Sequence, residues 1–217
     1  MNLSITEKIT LIALDDNTGI WVTDSMRLNY ALACGILFEL YQQNCLKIND
    51  GKVELIDNKK SESNLSTSAV ELMSNLRNKG LLSVVYKIAK LASKSKDEIL
   101  TGLVNKGILE TKEVNGATTY PMIDASLEDA IKSKLIEIAH NHKTIEERDN
   151  LFLLKILANC KLQYEVFDKE MDNKKLAAIV EGAKISDSID KATVSVINNL
   201  EETLNSLVVS ASTINVN

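Results

Sequence analysis

Residues 26–43, MRLNYALACGILFELYQQ, constrain this chain more than any other stretch. Read as a helix, the segment is apolar nearly all round, whereas a surface helix would carry one apolar stripe. Such a helix has to be enclosed by other elements. It does not reach the roughly 18 consecutive apolar residues that cross a bilayer, because Arg27, Asn29 and Glu39 interrupt it. The expectation is a central core helix with other helices around it. One Pro and eight Gly in 217 residues leave few breakers, which favours long uninterrupted helices for that shell. NLFLLKILANCKL (150–162) reads as a second buried helix. Residues 188–211 place Ile189, Val194, Ile197, Leu200, Leu204 and Leu207 at helical steps.

Five sites resemble capping boxes, in which a hydroxyl and an acid three residues later satisfy the free amides of a helix start. They are Ser4/Glu7, Ser68/Glu71, Ser95/Glu98, Ser126/Asp129 and Thr144/Glu147. Two alternating stretches turn at Asp50-Gly51 and Asn115-Gly116, dipeptides suited to two-residue hairpins. Residues 58–68, NKKSESNLSTS, read as a mobile loop. The fold class expected is mainly α: a compact helical single domain spanning 1–217, with two or three short β-hairpins.

Cysteines at 34, 45 and 160 lack paired spacing, which argues against a disulfide scaffold or zinc site and fits a reducing compartment. The start MNLSITEKIT lacks the basic-then-apolar order of a signal peptide. Three stretches, FELYQQNCLKI, MSNLRNKGLLSV and LTGLVNKGILET, echo one another, and helix followed by hairpin is how a winged-helix unit ends. A nucleic-acid binder is therefore a rival reading. The net charge of −5 weighs against it, since duplex binding rests on phosphate neutralisation.

LIALDDNTGIW (11–21) poses the sharpest local question. A helix-flanked calcium loop needs Gly at its sixth position and Glu at its twelfth. Counted from Asp15, those positions hold Ile20 and Met26, so that reading fails. Adjacent Asp15 and Asp16 do not converge as an acid–base pair. The two histidines, 140 and 142, point to different helix faces, and Glu137 with His140 gives only two ligands. There is no Gly-rich phosphate loop and no nucleophile elbow. The expectation is a protein with no catalytic residues, no metal and no cofactor.

Charge is uneven along the chain. Leu72–Lys96 holds Arg77, Lys79, Lys87, Lys90, Lys94 and Lys96 and no acid, so all 30 acidic residues lie outside it. Leu81, Val84, Val85, Ile88 and Leu91 form an apolar stripe there, with Lys87, Lys90 and Lys94 on another face. Such a cluster favours phosphate or an anionic membrane; the plainer alternative is a solvated helix face.

The order ITEKITLIALDDNTGIWVTDS…ALACGILFELYQQNCLKI resembles the Golgi phosphoprotein 3 family, with Glu39-Leu40 matching a hydrophobic-Glu-Leu signature. Leu103-Val104-x-Lys106-Gly107 is similar to the family's Leu-Val-x-Lys-Gly turn. LFLLKILANCKLQYEVF (151–167) is similar to its C-terminal apolar helix. The resemblance covers most of residues 3–182. It implies a cytoplasmic, mostly helical domain peripherally attached to membranes. Eukaryotic members recognise phosphatidylinositol 4-phosphate and help retain glycosyltransferases; members also occur in prokaryotes.

The family's lipid pocket uses a Trp, an Arg on the next helix and two Arg before the Leu-Val-x-Lys-Gly turn. Trp21 matches the Trp in order. Counting back from Glu39 puts the helix Arg on Ala33, with Arg27 the nearest basic substitute. Counting back from Leu103 puts the other two on Lys96 and Ser93, beside Lys94. The implied lipid-binding set is Trp21, Arg27, Lys90, Lys94 and Lys96, with DDNTG as the turn that places Trp21. A core Trp is the competing reading of Trp21. The partners implied are an anionic phospholipid surface and membrane-protein clients, with nucleic acid disfavoured and oligomeric state open. The alternative function is a protein-binding adaptor that keeps the fold without phosphoinositide recognition. Ala33 in place of Arg leads us to expect weak selectivity among anionic lipids.

Overall fold

The apolar segment forms α2 (Ser25–Gln42), and every residue from Tyr30 to Leu40 is buried. In the computed structural model, which describes residues 2–56, 63–77, 79–167 and 171–214, other helices enclose it. These are α1 (Ile5–Ile12), α3 (Asn64–Ser74), α4 (Leu81–Asn105), α5 (Ser126–Asn141), α6 (Arg148–Asn159), α7 (Gln163–Val166), α8 (Asn173–Gly182) and α9 (Lys191–Ile214). Helix α4 packs along α2, with α1, α3 and α9 also against α2; α6 packs on α8 and α9. Phe38 of α2 stacks on Phe152 of α6 with ring centroids 4.5 Å apart, so the two most apolar segments meet in one core running from Leu3 to Val208. Each fully buried side chain of that size contributes on the order of 1.5–3 kcal/mol. Among the described residues, the protein is mainly helical, as the breaker-poor sequence implies.

The hairpins turn where expected. Strands β1 (Leu46–Asn49) and β2 (Lys52–Leu55) pair antiparallel around Asp50-Gly51. Strands β3 (Lys112–Val114) and β4 (Ala117–Thr119) pair around Asn115-Gly116. All four turn residues have positive φ, the conformation that Asn/Asp-Gly tolerates and that matches strand twist.

Helix starts follow the sequence less well. Only Ser4/Glu7 is a capping box: the Ser4 hydroxyl accepts from the Glu7 amide, and the Glu7 carboxylate accepts from the Ser4 amide. Ser68 lies inside α3, whose cap is Ser63, and Ser95 lies inside the unbroken 25-residue α4. Ser126 is already helical and donates to Asp124, while Thr144 precedes an extended Glu147 at the start of α6. A Ser or Thr three residues before an acid also occurs on helix faces, where continuing apolar periodicity overrides it. The expected loop 58–68 is corrected in part: Asn64 to Ser68 belong to α3, held by Ser63, and 58–62 lie outside the described residues.

Candidate functional site

The DDNTG segment is a closed turn after α1. The Asp15 carboxylate accepts from the Asn17 amide (3.2 Å), the Thr18 amide (2.8 Å) and the Thr18 hydroxyl (2.7 Å). That hydroxyl, then the amides, holds the Asp15 carboxyl below its usual range. The backbone closes as Gly19 donates to Asp15 and Asp15 donates to Ile20, at 2.8 and 2.9 Å. The turn also docks sideways, because the Met122 amide donates to the Asp16 carbonyl and the Tyr120 amide to the Gly19 carbonyl. Gly19 is required there. Its φ is +65°, and a Cβ would lie 2.1 Å from the Tyr120 carbonyl carbon.

Trp21 leaves this turn as a bridge partner of Leu14, with Val22 donating to Ala13. It is half-buried: it packs against the core and carries the Lys96 ammonium 5.6 Å from its ring centroid. That separation is within cation–π range. Its neighbours Ile20 and Val22 are exposed, so the tip of the turn is apolar. Neither a sealed core Trp nor a free surface Trp describes it.

The five residues assigned from sequence do not form one cluster. Lys96 joins Trp21 and donates to the Ser25 hydroxyl at 3.0 Å, and partial burial lowers its pKa. Lys90 lies over the Tyr86 ring at 4.6 Å and is electrostatically coupled to Tyr30. Lys94 is exposed, as is Lys87. Helix residues two apart point about 200° apart, so Lys94 and Lys96 face different directions. Ser93, three residues from both Lys90 and Lys96, lies between them on the α4 surface. Arg27 is tied to Asp24 through an ion pair at the start of α2, and its Nε is buried without a hydrogen-bond partner. Ala33 is fully buried inside α2. The residue count that set Ala33 against a pocket arginine therefore needs correction, since a guanidinium there would sit in the core. Sequence reasoning missed Ser25, Tyr30 and Tyr86. The Tyr86–Lys90 spacing was a visible signal; the other two come near only because α2 and α4 pack side by side.

The signature residue Glu39 has a structural task. It is buried beside the start of α1 and accepts from the Thr6 amide at 2.7 Å and the Thr6 hydroxyl at 2.9 Å. It thus satisfies an otherwise free amide at a helix N-terminus. Burial raises its pKa, with the Thr6 hydrogen bonds opposing.

A helical domain built around one enclosed apolar helix, with a Trp-bearing turn beside a lysine-bearing helix, defines the class. The chain belongs to the Golgi phosphoprotein 3 (GPP34) family, whose profile matches residues 5–199. The match extends beyond the quoted signatures into α9. A comparison with curated proteins finds no significant match. No helix among the described residues is long and apolar enough to cross a membrane.

Proposed function

We infer that this protein is a non-enzymatic, cytoplasmic, peripheral membrane protein that binds anionic phospholipid headgroups of the phosphatidylinositol 4-phosphate type. The observation that carries this reading is the apolar tip Ile20-Trp21-Val22 directly beside Lys96, on a chain whose only long acid-free segment is the one containing Lys90, Lys94 and Lys96. A half-buried Trp suits the headgroup region, where its ring contacts acyl carbon and its N–H stays wet. Lys90 and Lys96 flank Ser93 and offer point charges to phosphate; they lack the bidentate geometry of arginine. The only arginine nearby, Arg27, is engaged by Asp24. Weak selectivity among anionic lipids follows.

Flotation with vesicles of phosphatidylcholine containing phosphatidylserine or phosphatidylinositol 4-phosphate, at low and high salt, tests this. The triple variant Lys90→Glu/Lys94→Glu/Lys96→Glu should lose binding while keeping its helical circular dichroism. Each Lys contributes on the order of 1 kcal/mol near an anionic surface, and salt should weaken the whole. Unchanged flotation of the variant refutes the site. Strong preference for phosphatidylinositol 4-phosphate at equal charge density refutes the expected weak selectivity.

A further inference from the structure

Behind the Trp21 turn lies a group of charges that the lipid reading does not use. The Glu128 side chain, on the first turn of α5, is sealed from solvent, with 1 % of its surface exposed. Lys132, one helical turn on, places Nζ 2.6 Å from Glu128 Oε1 and 3.8 Å from Asp16 Oδ1. Apart from that ion pair, both Glu128 oxygens lack a hydrogen-bond donor. The Asp16 carboxyl is the like charge beside it, facing the same lysine. Two carboxylates are both acceptors, so they bond only when one proton lies between them. Glu165 of α7 faces Lys132, Asp15 and Asp16, and Asp15 of the turn faces Lys132.

We propose that Asp16, Glu128 and Lys132 form a proton-dependent clamp that holds the Trp21 turn against α5. With Glu128 protonated, the two carboxyls carry a single negative charge, which Lys132 balances. Without that proton, the partly exposed Asp16 and the buried Glu128 repel each other, with Glu165 adding to the repulsion at Asp16. Asp16 is the only member of the trio on the turn, so relief comes by moving the turn. Burial, with Asp16 next to it, pushes the Glu128 carboxyl up to about 8, against the pull of Lys132. Burial works against the Lys132 charge, but Glu128, Asp16 and Glu165 outweigh it and raise its pKa, so the lysine remains the cation throughout. The clamp therefore opens as pH rises through about 8. Its effect on membrane attachment rests on the function proposed above: protons gather at an anionic surface, so docking there would favour the closed clamp.

Trp21 is the only Trp in the chain, so its emission reports on the turn without vesicles. Titrated in vesicle-free solution, the full chain should show a red shift with a midpoint near 8. Glu128→Gln, whose amide donates to Asp16 without ionising, should keep the low-pH emission throughout. Asp16→Asn, which removes the like charge and offers an N–H donor to ionised Glu128, should abolish the red shift. Flat emission of the unaltered chain, or the same transition in Glu128→Gln, overturns the clamp. If Glu128→Gln does not fold, a transition that persists in Asp16→Asn overturns it instead. Flotation of the same samples separates the two proposals. A transition in emission with no vesicle binding at any pH refutes the membrane reading and leaves the clamp. Vesicle binding with no transition refutes the clamp and leaves the membrane reading.

Discussion

Helix α1 is held at both ends by a buried carboxyl, and the two are buried on different terms. At its start, Glu39 faces backbone and hydroxyl donors that belong to α1 itself. Past its end, Glu128 faces a lysine and a second carboxyl, which comes from the turn. Both are pushed up by burial, yet they couple to different things. Glu39 ties the central helix, of which it is part, to α1, so losing it should loosen the whole domain. Glu128 touches a surface turn, so changing its charge should move that turn first. A buried acid matched to helix amides is structural, whereas one set against another acid can respond to protons.

The largest expected effect is at Glu39. Glu39→Ala leaves the Thr6 amide and hydroxyl without their acceptor in the core, which should cost about 3 kcal/mol in urea unfolding. Glu39→Gln, which keeps an accepting oxygen, should cost less than half of that. Equal losses would mean that the charge matters and the acceptor does not.

Gly19→Ala should come next, at about 2 kcal/mol, through strained backbone and the clash with Tyr120. Because the strain is confined to the turn, Trp21 emission should change while the helical circular dichroism stays. A loss of helix would show that the turn is part of the global fold.

The pH dependence of stability separates the two ends further. Glu128 holds its proton more tightly in the folded chain than in the unfolded one. Its contribution is therefore full below the unfolded value of 4.5 and lost as pH rises through about 8. Urea midpoints should fall across that window, and less steeply in Glu128→Gln. Glu39 and Glu165 act in the same direction, so a residual slope in that variant belongs to those two groups.

The smallest effect belongs to the surface. Lys94→Ala should change stability by less than about 0.5 kcal/mol, since the side chain is exposed. In flotation, Lys96→Ala should weaken vesicle binding more than Lys94→Ala, because Lys96 lies over the Trp21 ring and Lys94 faces another direction. The reverse order would move the headgroup contact to the outer face of α4.

Much of the fold was legible because its signals are local. The apolar run of α2, the stripe Leu81–Val84–Val85–Ile88 of α4 and the two turn dipeptides each specify their element within a few residues. Four of the five apparent capping boxes misled, since hydroxyl and acid recur by chance inside helices and only backbone conformation tells a cap from a face residue. The lysine cluster was legible as charge but not as a surface. Lys96 parts from Lys94 by helical geometry, and it meets Trp21 only because α4 runs beside the start of α2.

From sequence alone, the chain was bound to be mainly helical around one enclosed helix, to turn twice at Asp/Asn-Gly, and to carry its unneutralised positive charge between Leu72 and Lys96. Periodicity, turn chemistry and composition act over a few residues and need no partner. Only the tertiary structure decided that Glu39 reaches Thr6, 33 residues away, that Ala33 lies in the core, and that Asp16 and Glu128 both approach Lys132. Those facts depend on which helix faces pack together, and it is the burial created by that packing that changes the proton affinity of a carboxyl.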